Sequence, residues 1–176
     1  LVINPYPWVI ETHVTPYQAR MLDIMMGYLW YDAYAEYSLT GDLDILAHHV
    51  MGFVSHITTR VTNVGPIMFY TMMVFVAEGS TPVMHLCWLM HALKKKDSLI
   101  FKLMSVVLLL LFFFCRVINA PFSVYHYTSN KANIGWDERP VLYWGNWIIL
   151  VAFSCLNFIW FFMLIKLALK PPPKLD

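Results

Sequence analysis

The sequence predicts an all-α fold, a polytopic bundle of helices embedded in a membrane. Three observations lead to this prediction. Of the 176 residues, 59% are hydrophobic and only 13% are charged, whereas soluble domains have about 25% charged residues. The mean hydropathy is +0.57. Clusters of proline, glycine and charged residues also divide the chain into five stretches, each near the length of about 20 residues that a membrane-spanning helix needs.

Residues 1–16 form the first segment. They contain Pro5, Pro7 and Pro16 among aromatic side chains. Prolines at this density interrupt helices, and Tyr and Trp favour the membrane boundary. We interpret 1–16 as an extracytosolic interfacial loop. Because the chain begins with Leu1 rather than methionine, we expect one or more further spans to precede it.

The first two predicted spans cover about residues 17–38 and 43–61. A short turn separates them, in which Thr40 or Asp42 is a suitable cap for the second helix. Asn-Val-Gly-Pro at 63–66 ends that helix. The first span is the less hydrophobic of the two, and its carboxylates are expected to face the bundle interior or water.

The third predicted span starts at Pro66, a residue suited to a first helical turn, and ends near Leu93. The sequence Glu-Gly-Ser-Thr-Pro at 78–82 is expected to break it within the membrane, where freed backbone groups line a cavity. Three lysines at 94–96 follow directly. Short loops with several lysines are typical of the cytosolic side.

The last two spans are predicted at about 98–118 and 143–166, with a polar, aromatic loop at 119–140 between them. Two spans separate the lysines at 94–96 from those at the C-terminal end, so both groups fall on the cytosolic side. The predicted segments are an interfacial loop at 1–16, a transmembrane domain at 17–170 and a cytosolic tail at 171–176.

The second span carries the residues that best indicate a functional site. His48 and His49 are adjacent, and His56 lies two turns after His49 on the same helix face. An ionisable side chain inside a membrane is costly unless a partner compensates, so it indicates function. Asp32 on the preceding span, or Glu78 on the following one, would orient a histidine that acts as general base, nucleophile or acyl acceptor. The competing interpretation is a pair that only packs and hydrogen-bonds between helices.

Ser80 and Arg116, together with His56, are the candidate substrate-binding residues. Ser80 belongs to the expected helix break. Arg116 has two interpretations, because an arginine in a span either extends to the lipid headgroups or binds a phosphate group of a substrate. We expect no metal site, because no two histidines of the spans form a helical ligand pair at i, i+4.

The order of several motifs resembles the TLC-domain family, named for translocation-associated membrane protein, Lag1 and CLN-type proteins. In chain order the motifs are Gly27-Tyr28-Leu29 with Asp32, Gly41-Asp42, His48-His49, Ala77-Glu78-Gly79-Ser80-Thr81-Pro82, and Arg116-Val117-Ile118 with Pro121. The resemblance covers about residues 17–170. It is closest to the small TLC-domain membrane proteins that have no other domain.

This resemblance implies a helical membrane bundle with a central cavity open to lipid. The ceramide synthases of the family transfer a fatty acyl group from acyl-CoA to a sphingoid base, and they depend on a histidine pair to which His48 and His49 correspond. Their two later aspartates would fall at 78–82, where this chain has Glu78 and no aspartate. The chain is more similar to the branch whose members are linked to membrane phospholipid composition.

The resulting hypothesis is a protein that binds a lipid or fatty acyl chain in an intramembrane cavity. The resemblance implies acyl transfer with acyl-CoA as a substrate and no bound cofactor, and Arg116 would hold a headgroup or CoA phosphate. A non-enzymatic structural subunit of a larger membrane complex, or a lipid sensor or transport factor, is the alternative, so enzymatic activity stays open. Expected partners are membrane lipids and other membrane subunits, since a net charge of +1 argues against nucleic acid. The expected location is the endoplasmic reticulum membrane, with another organelle membrane such as the mitochondrial one as the alternative.

Overall fold

The computed structural model describes residues 13–169, and within that range the secondary structure is helical without strands. The all-α prediction is therefore confirmed. The α-helices are α1 Pro16–Thr40, α2 Leu43–Thr62, α3 Gly65–Val76, α4 Thr81–Ala92, α5 Leu99–Phe112, α6 Asn119–Ser129, α7 Lys131–Ile134 and α8 Pro140–Ala168. A 3₁₀ turn at Ala77–Ser80 joins α3 to α4, and a π-helical turn at Phe113–Ile118 joins α5 to α6.

Five long helical segments result from these junctions, and they occupy the five predicted spans. Three of them are long and apolar enough to cross a membrane. The other two, α1 and α2, have 25 and 20 residues, which is sufficient length, but they are more polar. The three segments that qualify are Gly65–Ala92, Leu99–Ser129 and Pro140–Ala168.

The junctions differ from the predicted breaks. The sequence at 78–82 does not interrupt the third span. The 3₁₀ turn only tightens the helix locally, and Pro82 falls in the first turn of α4. A residue without an N–H is tolerated in a first turn, because the N–H groups there have no partner within the helix. The predicted loop at 119–140 is also wrong in its first half, since helix continues to Ser129. The π-helical turn lies just before Pro121, and this local change of hydrogen-bond register accommodates a residue without an N–H.

Capping residues that are recognisable in the sequence explain some of the helix ends. At the start of α1, the Thr15 hydroxyl accepts from the Gln18 N–H while the Gln18 side chain accepts from the Thr15 N–H, which is a capping box. Gly41 ends α1 with φ of 72°, a left-handed conformation that favours glycine. Asp42 occupies the predicted N-cap of α2, but its side chain makes no capping hydrogen bond.

The main core lies between α3, α6 and α8. It is rich in aromatic side chains, including Tyr70, Tyr127, Tyr143 and Phe153. Antiparallel α1 and α2 pack closely together, and α2 also contacts α3 and α8. The C-terminal end of α1, the N-terminal half of α2 and the C-terminal end of α8 thereby surround one end of the bundle. The predicted tail at 171–176 and most of the predicted loop at 1–16 lie outside the described residues.

Candidate functional site

Two histidine–carboxylate pairs form the centre of the candidate site. His48 Nε2 lies 3.1 Å from Glu78 Oε1, and His49 Nε2 lies 3.2 Å from Asp32 Oδ2. Both imidazole rings are buried. Successive side chains on a helix diverge by about 100°, so α2 directs one ring towards α1 and the other towards the α3–α4 junction. The structure therefore places both predicted carboxylates next to the histidine pair, one for each ring.

Each pair leaves one ring nitrogen without a partner. The Nδ1 atoms of His48 and His49 are buried and make no hydrogen bond within residues 13–169. When the carboxylate is ionised, Nε2 donates its proton to it, and Nδ1 then keeps its lone pair. This is the tautomer that a carboxylate-oriented imidazole needs in order to act as a base or nucleophile.

Arg116 lies beside the His48–Glu78 pair and is only 2% exposed. Its Nε donates to Ser80 Oγ at 2.9 Å, its Nη1 to Asn157 Oδ1 at 3.2 Å, and its Nη2 to Thr81 Oγ1 at 3.0 Å. Nη2 is also 3.6 Å from Glu78 Oε2. The guanidinium therefore does not extend to the lipid headgroups, which was one of the two interpretations of Arg116. It pairs with the Glu78 carboxylate inside the bundle.

A cavity of about 500 Å³ opens beside both pairs, within the range of small-molecule binding sites. Its polar lining includes the histidine pair, Glu78 and Arg116, with further carboxylates on α1 and around the start of α2. Apolar side chains from α2, α4, α5 and α8 lie among them. The apolar lining residues are Ile45, Met84, Phe112, Trp160, Met163, Leu164 and Leu167, and the remaining carboxylates are Asp32, Glu36, Asp42 and Asp44.

Two predicted binding residues do not reach this cavity. His56 is 1% exposed, and its Nδ1 lies 2.7 Å from the Gly52 carbonyl oxygen of its own helix. Ser80 is fully buried, donates to the Ala77 carbonyl and accepts from Arg116. His56 borders a small void lined mainly by residues of α1, α2 and α3. Both residues contribute to the packing beneath the site and do not line it.

Several residues of the site have no signal in the sequence that would place them there. Thr81 donates to Glu78 Oε2 at 2.7 Å. The Trp160 indole donates to Asp44 Oδ2 at 2.7 Å, and its ring lies 5.1 Å from that of His48. The Phe153 ring stacks on the His48 ring, with their centroids 5.1 Å apart. Asn157 alone has a usable signal, since a polar residue in an apolar span indicates contact between helices.

One cluster at the cavity wall has the geometry for a cation. Asp32, Glu36 and His85 each offer a ligand atom within 4.8 Å of the others. Carboxylate oxygens and imidazole nitrogens are ligands of Zn²⁺ and related ions. Two of these residues come from α1 and one from α4. The expectation of no metal site considered only the spacing of histidines within a single helix, and such spacing cannot reveal a cluster formed by two helices.

The fold and this site define a class: a helical integral membrane protein with a cavity between its helices that is lined by both ionisable and apolar side chains. The family model described as the TLC domain matches residues 4–166, nearly the whole chain. The chain belongs to the TLC-domain family, and the predicted resemblance is confirmed. No solved structure matches the chain.

Proposed function

We propose that this protein binds a lipid or fatty acyl chain in its cavity and transfers the acyl group, with the histidine pair as base or acyl acceptor. The supporting observation is a single cavity of about 500 Å³ whose lining combines two histidine–carboxylate pairs with apolar side chains. An acyl chain needs the apolar lining, and acyl transfer needs the oriented imidazole. We further propose the endoplasmic reticulum membrane as its location.

The proposed chemistry uses acyl-CoA as the donor. The imidazole nitrogen attacks the thioester carbonyl carbon, a C–N bond forms, and the C–S bond breaks to release the coenzyme A thiolate. An acceptor hydroxyl or amine then attacks the acyl-imidazole, returns the nitrogen lone pair to the ring and passes its proton to solvent. The carboxylate of each pair holds the ring and stabilises the charge that develops on it.

The first experiment uses purified protein in detergent, incubated with palmitoyl-CoA and analysed by intact-protein mass spectrometry and lipid extraction. Wild type is compared with the double variant His48→Ala, His49→Ala. The matched control is His91→Ala, since His91 is exposed and lies outside the cavity. We expect an added palmitoyl mass, or palmitoyl transfer to co-purified lipid, in wild type and control but not in the double variant. Equal palmitoyl transfer in all three proteins would contradict the proposal.

A second candidate function is that of a structural subunit in a larger membrane complex. The observation in its favour is a group of exposed aromatic side chains on α1, Trp30, Tyr31 and Tyr34, with exposed fractions of 69%, 70% and 72%. Aromatic residues are enriched at protein interfaces. Stoichiometric co-purification with other membrane proteins, lost when Trp30 and Tyr34 are changed to alanine, would support this function. A monodisperse monomer that transfers palmitate would argue against it.

A further inference from the structure

The two histidine–carboxylate pairs differ in how their carboxylates are held. The Glu78 carboxylate is fixed at both oxygens: Oε1 faces His48 Nε2 at 3.1 Å, and Oε2 accepts from the Thr81 hydroxyl at 2.7 Å. Oε2 is also 3.6 Å from Arg116 Nη2. Because the two oxygens are held from different directions, the carboxylate cannot rotate without breaking one of these contacts.

The direction of the Thr81 hydroxyl follows from its two neighbours. Arg116 Nη2 donates to Thr81 Oγ1 at 3.0 Å, and a guanidinium has no acceptor. The hydroxyl proton is therefore left for Glu78 Oε2. The result is a directed chain of hydrogen bonds from Arg116 through Thr81 to Glu78, and the other oxygen of Glu78 faces His48.

The Asp32 carboxylate has no comparable support. Its Oδ2 accepts from the Tyr28 hydroxyl at 3.3 Å and lies 3.2 Å from His49 Nε2. Within the described residues no arginine or lysine pairs with Asp32. Its other neighbours are the Glu36 carboxylate on the next turn and the exposed His85 imidazole of α4, which also line the cavity. A phenol, an exposed imidazole and a like charge hold a carboxylate less firmly than a buried guanidinium does.

We propose that Arg116 is a positioning residue, which acts with Thr81 to fix Glu78 on His48 and so makes the two histidines inequivalent. His48 is held in the Nε2–H tautomer between Glu78 and the rings of Phe153 and Trp160. His49 is the ring that exchanges partners when a substrate enters. The division of roles rests on the proposed function, whereas the positioning by Arg116 is a property of the protein without substrate.

The π-helical turn at Phe113–Ile118 is consistent with this role. Such turns occur as single insertions in α-helices, frequently at functional sites. This one includes Arg116 and connects two segments of a helix whose residues are otherwise mostly apolar. It presents the guanidinium to Ser80 and Thr81, on both sides of the 3₁₀–α4 junction.

The test is the tautomer of each histidine in the protein without substrate. Protein with ¹⁵N-labelled histidine is studied in detergent micelles by long-range ¹H–¹⁵N correlation, and the His48 and His49 signals are assigned with the single alanine variants. We expect Arg116→Met to replace the single Nε2–H form of His48 by a mixture of tautomers, with His49 unchanged. Arg116→Lys should restore part of the Nε2–H signal, because it restores the charge but not the fork of donors.

Arg139→Met is the matched control, since Arg139 is exposed and lies outside this cavity. If Arg116→Met does not fold, as judged by circular dichroism and gel filtration, Thr81→Val interrupts the same chain of hydrogen bonds with a side chain of similar shape. An unchanged His48 tautomer in the folded Arg116→Met protein, or in Thr81→Val where that variant is used, overturns the proposal. No acyl donor is present, so this result is independent of whether the protein transfers palmitate.

Discussion

At the scale of single residues, the charge on Arg116 is the feature that distinguishes the His48–Glu78 pair from the His49–Asp32 pair. A guanidinium that is 2% exposed is tolerated only when a carboxylate and hydrogen-bond acceptors compensate it. Glu78, Ser80, Thr81 and Asn157 supply these groups. The stability of the site therefore depends more on Glu78 than on Asp32, although each carboxylate faces one histidine at nearly the same distance.

This asymmetry gives a prediction for two isosteric substitutions. Glu78→Gln leaves Arg116 as an unpaired buried cation, so it should lower the free energy of unfolding by about 3 kcal/mol. Asp32→Asn removes a charge that no cation pairs with in the described residues, so its cost should be about 1 kcal/mol or less. Thermal unfolding in detergent, followed by tryptophan fluorescence, measures both. Equal losses for the two variants would show that Arg116 is not the cause.

The candidate site could be predicted in part at this scale. The cost of ionisable groups inside a membrane indicates Asp32, His48, His49, Glu78 and Arg116 as a group, and the structure brings all five around one cavity. The same rule also selected His56, which bonds to its own helix instead. Rules that consider one residue at a time cannot detect Thr81 or Trp160, because their roles come from neighbours on other helices.

At the scale of elements, the close approach of α1 and α2 positions the Asp32–His49 pair. Gly52 of α2 lies against Leu29 of α1, and a Cβ atom built at Gly52 would be 3.3 Å from Leu29 Cδ1. Small residues at such contacts let helix backbones approach each other. Asp32 and His49 each lie three residues, nearly one turn, from Leu29 and Gly52 respectively, so any separation of the helices here also lengthens the Asp32–His49 contact.

Gly52→Val is therefore expected to destabilise the protein by about 1–3 kcal/mol through overpacking. The lowered melting temperature should be accompanied by a change in the ¹⁵N signal of His49. The matched control is Gly27→Val on α1, where a Cβ atom would meet nothing within 4 Å. Gel filtration at a series of temperatures ranks the variants. If Gly27→Val were as destabilising as Gly52→Val, loss of helical glycine rather than the contact with Leu29 would be responsible.

The helical elements themselves were largely predictable, since hydropathy and the proline and glycine positions identify all five long segments. The junctions were not predictable. Pro82 and Pro121 suggested breaks, but one falls in the first turn of a helix and the other follows a π-helical turn. Whether a proline ends a helix depends on the local hydrogen-bond register, which is decided by packing against neighbouring helices rather than by the residue alone.

At the scale of the whole molecule, the distribution of charge suggests which side of the membrane the cavity faces. The α1–α2 turn, the lysines at 94–96 and the end of α8 follow alternate helices, so they lie at the same end of the bundle. The cavity is lined there by Asp42, Asp44 and Leu167. By the positive-inside rule we expect this end to face the cytosol, from which the proposed donor, acyl-CoA, would enter the cavity.

The last prediction tests this topology with single cysteines. After Cys87, Cys115 and Cys155 are changed to serine, cysteine is introduced at His13, Ser38, Lys95 or Asp137, all of which are exposed. A membrane-impermeant maleimide applied to sealed endoplasmic reticulum microsomes, whose cytosolic face is outward, should label the variants at 38 and 95, and those at 13 and 137 only after permeabilisation. This pattern follows because one long helical segment separates 13 from 38, two separate 38 from 95, and one separates 95 from 137, each reversing direction. Labelling of 13 and 38 from the same side would mean that α1 does not cross the membrane. The polar composition of α1 and α2 would then reflect an interfacial hairpin, and their carboxylates would meet water rather than the bundle interior.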